Sequence, residues 1–447
     1  MLEYISTATA TGFGGMTRDV KVPSRIANIL LNSLKGGVVP RVGLEYVTVG
    51  RTQEISAILH DIDMISDGGG SFRFIVGKYG SGKSFLLQTI RNYATAKGFV
   101  VVDADLSPER RFAGTKGQGL ATYKELMQNL STKSKPDGGA LPLVLERWIS
   151  GIMSQVSGDT DTVEAKIFEL TGKLEGMVNG FEFAKAIALY YRAYQEDDAA
   201  LKSNVLKWFR GEYVTRRDAK ADLGINFTIT DENWYDFLKI FAEFLVGAGY
   251  KGLLVVVDEL VNIFKIPNSI TRANNYEKIL TIYNDALQGK AKHIGFLMGG
   301  TPQCIEDKYR GVFSYEALRS RLAEGHFATD DFKDLTAPII RLKMLTQEEM
   351  YVLVEKLRDI HANLFNYNPI LSHEDLVYFL TVEYNRVGAS THITPREIIR
   401  DFIELTNILH QNPDKSVNEI LGSNSFEMAK GGLSDEEIHS EFQEFEL

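Results

Sequence analysis

The 447-residue chain carries a single cysteine, Cys304. One thiol excludes an intrachain disulfide and any multi-cysteine zinc site. It suits a reducing compartment, and a cytoplasmic protein is the expectation. Long apolar runs are also missing. None approaches the ~18 residues needed to cross a bilayer, so no membrane partner is expected. The N-terminus shows no basic segment leading into an apolar stretch, which argues against a secretory signal. Positive charge is in deficit, with 49 Lys and Arg against 59 Asp and Glu and a formal net charge of -10. That excludes a uniformly cationic surface and leaves room for DNA only at a local basic groove. The eight histidines lack metal-ligand spacing to one another or to Cys304, which argues against zinc. No internal repeat is present. A charged content of 24% and a hydrophobic content of 44% describe a folded chain, not a disordered one. The length suggests roughly three structural units.

Four short apolar runs read as strands: Phe72 to Val76, Phe99 to Val102, Leu253 to Val257 and Ile294 to Met298. Helical patterns separate them, so the expectation is a parallel α/β sheet covered on both faces. The long stretch between the second and third strands cannot be structureless in a compact domain. Val144, Leu145, Trp148 and Ile149, then Ala184, Ile187, Ala188 and Tyr191, recur at helical spacing there, so a largely helical insertion is predicted at about residues 107–248. After Ala337 no further strand is expected, only helices over Leu345 to Ile360, His373 to Tyr384 and Pro395 to His410. The predicted organisation is an N-terminal arm and helix (1–48), an α/β core (49–336), a helical unit (337–412) and an acidic tail (413–447). Phe442, Phe445 and Leu447, interleaved with the tail's carboxylates, fit either a solubility element or a docking peptide.

Directly after the first strand runs Gly77-Lys78-Tyr79-Gly80-Ser81-Gly82-Lys83-Ser84, followed by Phe85 on a helical pattern. This satisfies the phosphate-loop spacing G-x-x-x-x-G-K-[ST] between a strand and a helix. The glycines let the backbone wrap closely and aim N–H groups at phosphate oxygens. Lys83 supplies a cation to the β- and γ-phosphates, Ser84 a hydroxyl to Mg²⁺, and the helix N-terminus a favourable dipole. ATP and Mg²⁺ are therefore the expected cofactors. The third strand ends in Asp258 and Glu259. Asp258 is placed to hold the hydrated Mg²⁺ and Glu259 to orient or deprotonate an attacking water. Ligands of open α/β sheets bind outside the carboxyl ends of the strands, which is where both carboxylates fall.

These residues resemble an AAA+ ATPase. The resemblance implies a P-loop NTPase parallel-sheet core with a large helical insertion, and makes the C-terminal helical unit its lid. Val49-Gly50-Arg51, with Glu54, resembles the box preceding the first strand in origin-recognition-like members, which places Gly50 and Arg51 among the nucleotide-binding residues. Thr301 after the fourth strand stands at the family's sensor 1 position, where many members carry Asn; a plain helix cap is the alternative. Arg396 stands at sensor 2. Thr394-Pro395-Arg396-Glu397 also reads independently as a capping box with proline at the first helical position. Tyr315 to Leu322 resembles the segment that carries an arginine finger to a neighbouring subunit. Tyr315, Leu318 and Leu322 form its apolar stripe, Arg319 and Arg321 flank it, and spacing alone does not choose between them. The resemblance favours Arg321.

A finer resemblance is to the ATP-binding proteins of the BREX phage-defence systems. It rests on Gly77–Ser84, Ser107–Phe112, Lys133–Gly139, Val255–Leu260, Gly299–Gln303, Tyr315–Leu322 and Ile393–Phe402 in this order, within residues 25 to 410. It implies an ATP hydrolase that assembles or remodels an anti-phage complex as a homo-oligomer with other defence proteins. A nucleotide-gated switch with little turnover is one alternative. A DNA translocase or loader with Arg110, Arg111 or Lys116 lining its path is another.

Overall fold

The computed structural model describes residues 22–154, 160–175, 179–323, 334–385 and 394–422. The ends of the expected N-terminal arm and acidic tail, residues 1–21 and 423–447, lie outside these. The chain divides into two compact units, Arg51–Met344 and a second built from both chain ends, Met1–Gly50 with Leu345–Leu447.

The unit Arg51–Met344 is organised by five strands: β1 (Gly70–Gly77), β2 (Val100–Asp105), β3 (Leu253–Asp258), β4 (Ile294–Gly300) and β5 (Ile339–Leu342). They form one sheet in the order β2-β3-β4-β1-β5, every pair parallel. Their β-branched and aromatic residues suit a pleated surface, and because both faces are covered they read as apolar runs and not as an alternation. The period of two sorts them onto the two faces. Phe72, Phe74, Val76, Val100, Val102, Val255 and Val257 join one core cluster, and Ile75, Val101, Leu254 and Val256 join the other. Helices Thr52–Ser66 and Lys83–Ala96 cover the second face through Ile55, Ile58, Ile62, Leu86, Leu87 and Ile90. On that face Arg73 of β1 makes two hydrogen bonds of 2.6 and 2.7 Å to Asp61, both residues buried.

Between β2 and β3 run seven helices among the described residues, from Gln118–Gln128 to Trp234–Gly247. Their core residues Trp148, Ile187, Trp208, Phe237 and Phe241 belong to the same cluster as Phe74 and Val255. The helices thus extend one face of the sheet and do not form a core of their own.

The fifth strand corrects the expectation that strands end before Ala337. Ile339–Leu342 pairs with β1 from Phe74↔Ile339 to Gly77↔Leu342. It is four residues long, follows Pro338 and contains Arg341. A run that short and interrupted carries no periodic signal, and only its pairing with β1 defines it.

In the other unit, helix Ser24–Lys35 buries Ala27, Leu30, Leu31 and Leu34. Ile29 on the same helix is exposed. The helix packs against Gln347–Phe365 and Pro395–Gln411, so the N-terminal helix shares a unit with the C-terminal helices. Pro395 starts its helix as expected, with Thr394 and Glu397 forming a reciprocal capping box. Thr346 and Glu349 form a second one at the head of Gln347–Phe365. Each cap is worth ~1 kcal/mol to its helix.

Candidate phosphate-binding site

Because all strands are parallel, the carboxyl ends of β1, β2, β3 and β4 open on one edge of the sheet. β1 ends at Gly77, and the helix Lys83–Ala96 begins five residues beyond Lys78. Between them Gly80 and Gly82 have φ of +78° and +85°, a conformation side chains resist, and Gly82 caps the helix in the left-handed region. Gly77 is required for another reason. A methyl group there would overlap the Ser81 hydroxyl and lie 3.2 Å from Leu342 Cβ. Ser81 is buried, whereas Lys78, Tyr79 and Ser84 are exposed and Gly82, Lys83 and Phe85 half-buried. The Lys83 ammonium donates to the Lys78 carbonyl at 3.4 Å, a long contact that a phosphate oxygen would displace. Backbone donors at a helix N-terminus beside a lysine make a receptor for anionic oxygens.

The end of β3 meets this loop. Ser84 Oγ donates to Asp258 Oδ2 at 2.8 Å, and the Glu259 backbone N–H donates to Asp258 Oδ1 at 2.8 Å. Gly299 on β4 leaves the room for this, since a methyl there would overlap Asp258 Oδ1. Glu259 takes φ +63°, unusual for a residue with a side chain, and its own side chain is solvent-exposed. Backbone strain of this kind concentrates at functional sites. Although its surface meets solvent, partial desolvation by the surrounding protein atoms and then the adjacent Asp258 hold the Glu259 carboxyl above the usual range, while Lys83 and Lys265 pull it back.

Asp105 belongs to this cluster, and the sequence reading missed it. It ends β2 directly opposite Asp258 in the register. Burial among protein atoms, then Asp258, Glu259 and Asp103, push its carboxyl up to about 6, with Arg110 opposing. The residue keeps contact with solvent, so its desolvation is partial and the repulsion among carboxylates is the component a cation would relieve. Ser84 and Asp258 offer the hard oxygens a hydrated Mg²⁺ takes. Among the described residues no three His, Cys, Asp or Glu groups form a ready-made metal cage. A cation here fits as one shared with phosphate oxygens and water.

The other expected residues are placed as follows. Thr301 directly follows β4 and its hydroxyl accepts from the Cys304 N–H at 3.4 Å, capping helix Pro302–Glu306. Cys304 is buried, and burial pushes its thiol up to about 11. Arg51 is buried behind the loop, where Nη2 donates to the carbonyls of Ser81 (3.0 Å) and Lys343 (2.6 Å). Gly50 takes φ +67° against the Glu349 carboxylate. Arg321 is exposed on helix Glu316–Leu322, donating to Asn284 Oδ1 at 3.1 Å and to the Ala317 carbonyl at 2.8 Å. Arg319 lies 4.0 Å from Glu316, and Leu318 and Leu322 are buried as the apolar stripe required. Arg396 is exposed in the first turn of Pro395–Gln411, in the other unit. Of the candidate DNA contacts, Arg110 donates to the Asp105 carbonyl at 2.9 Å and pairs with Glu125 at 3.5 Å, so it serves the fold. No helix among the described residues is long and apolar enough to cross a membrane.

No curated protein matches the chain. The family model described as BREX system ATP-binding protein BrxC/D matches residues 22–425. That match takes in the phosphate loop, the Asp258–Glu259 strand end and the helices of both units. The chain therefore belongs to the BREX system ATP-binding protein BrxC/D family.

Proposed function

We propose that this chain is a Mg²⁺-dependent AAA+ ATPase that hydrolyses ATP between neighbouring copies of itself and uses the cycle to assemble or remodel an anti-phage defence complex. The observation that carries the reading is the 2.8 Å hydrogen bond from Ser84 to Asp258. It joins a phosphate loop with left-handed glycines to a carboxylate strand end. In this reading the loop N–H groups and Lys83 bind the phosphates. Ser84 and Asp258 hold the hydrated Mg²⁺, which supplies positive charge to the phosphoryl oxygens. Glu259 orients a water for in-line attack on the γ-phosphate and accepts its proton. Its raised pKa brings it nearer to the task than an ordinary carboxylate. Thr301, at the adjacent strand end, helps position that water. Arg321 of a neighbouring copy stabilises the charge spreading over the transferred group, and Arg396 reports γ-phosphate occupancy from the helical lid.

Steady-state phosphate release, measured beside equilibrium ATP binding in wild type and Glu259→Gln, tests the proposal. Turnover in the wild type with binding alone in the variant supports it. Binding without turnover in both makes the chain a nucleotide-gated switch.

A further inference from the structure

The chain passes between its two units at two places only, Gly50–Arg51 and Met344–Leu345. Arg51 is the first residue after one crossing, and Lys343 lies one residue before Met344 at the other. A single guanidinium nitrogen of Arg51 carries two hydrogens. It donates to the Lys343 carbonyl at 2.6 Å and to the Ser81 carbonyl, inside the phosphate loop, at 3.0 Å. The Arg51 side chain and Ser81 are both buried, so the guanidinium serves the loop carbonyl away from water, while the bond to Lys343 is partly buried. On the other side of the crossings one helix does the holding. Lys356 of Gln347–Phe365 donates to the Thr48 carbonyl at 3.0 Å. Glu349 of the same helix occupies the space that a Gly50 side chain would need. That helix starts just past the second crossing and is fixed there by the Thr346–Glu349 capping box.

We infer that Arg51 is a positioning residue that ties the phosphate loop to both interdomain crossings, so that phosphate in the loop stiffens the chain at 48–51 and at 343–347 together. The physical reason is short. A ligand that fixes the Ser81 peptide fixes its carbonyl. One rigid, planar cation links that carbonyl to the second crossing while its own backbone forms the first. Occupancy then travels through two hydrogen bonds on one atom, without any rearrangement of the sheet.

The inference rests on the nucleotide reading above, and hydrogen exchange resolved by peptide separates the two. The probe is Mg²⁺ with adenosine 5′-(β,γ-imido)triphosphate on the full chain. At 100 times the dissociation constant, amides that exchange only through opening of the binding-competent state slow by ~100-fold. In wild type the peptide over residues 77–84 should slow, and peptides over 44–51 and 343–349 should slow by a comparable factor. In Arg51→Met, which keeps the stem and loses both donors, the loop peptide should still slow at saturating nucleotide while the crossings keep their unliganded rates. Slowing at 77–84 in wild type with unchanged crossings overturns the inference and leaves the nucleotide reading standing. Crossings that slow in Arg51→Met as in wild type also overturn it. No slowing at 77–84 in wild type removes the nucleotide reading and this inference with it. The wild-type comparison decides even if Arg51→Met does not fold.

Discussion

Replacing Gly299 by alanine tests the site through a residue that bears no functional group. The added methyl would sit 2.9 Å from Asp258 Cγ and 3.1 Å from Leu87 Cδ1, and would overlap Asp258 Oδ1. Carbon–carbon contacts are optimal at roughly 3.5 Å or more, so the carboxylate must retreat by at least roughly 0.6 Å to clear Cγ, and further to clear Oδ1, or the strands must part. Asp258 accepts two hydrogen bonds of 2.8 Å, from Ser84 and from the Glu259 N–H, and a retreat of that size stretches both past ordinary length. A hydrogen bond to a charged group is worth ~1.5–3 kcal/mol, and partial exposure of Asp258 puts these at the low end. The expected loss is about 3 kcal/mol, or about 6 °C in Tm for a unit of this size. The Mg²⁺ concentration that gives half-maximal ATP binding should rise ~10-fold or more, as when a ligand's support is removed. Gly295→Ala is the control on the same strand. Its methyl meets the flexible end of Ile65, so it should cost stability without touching the Mg²⁺ dependence. Scanning calorimetry and Mg²⁺ titrations of nucleotide binding read both quantities. Equal Mg²⁺ dependence in Gly299→Ala and Gly295→Ala would refute the placement of Asp258 as the cation's anchor.

Lys83→Ala should abolish ATP binding in equilibrium dialysis while far-UV circular dichroism and Tm stay near wild type, because the lysine serves a ligand and not the core. Glu259→Gln should bind ATP yet release phosphate ~10²–10⁴-fold more slowly, since the amide keeps the shape but cannot take a proton; wild-type turnover would reassign the base. Asp105→Asn should raise Tm at pH 7.5. The raised carboxyl is a penalty on the folded state that is fully present above about 6 and vanishes towards the unfolded value of 3.8, so the variant's advantage should fade as pH drops from 6 to 4. An advantage independent of pH would mean that charge is not its source. Arg321→Ala should retain ATP and lose hydrolysis, and mixing it with Lys83→Ala should restore part of the activity above the concentration at which chains associate. If hetero-oligomers form without any recovery, Arg321 acts within its own chain.

What the sequence determined by itself is local. The phosphate loop is one contiguous octapeptide whose spacing, glycine placement and position between strand and helix all reflect backbone geometry within a few residues. The capping box at Thr394 and Glu397 is local in the same sense, as are the four strands with apolar runs. The matching box at Thr346 and Glu349 is equally local. Tertiary structure alone decided the rest, because those features depend on pairing between segments far apart in the chain. Asp105 becomes part of the site only because β2 pairs with β3 in the register that sets it opposite Asp258. β5 is a strand only because β1 has a free edge beside Phe74–Gly77. Helix Ser24–Lys35 joins the C-terminal helices because its apolar stripe needs a partner face, and no local pattern says which. Arg51 shows the limit most plainly. Its three-residue motif suggested a ligand contact, but the carbonyls it holds, Ser81 and Lys343, are brought together only when β1 and β5 lie side by side.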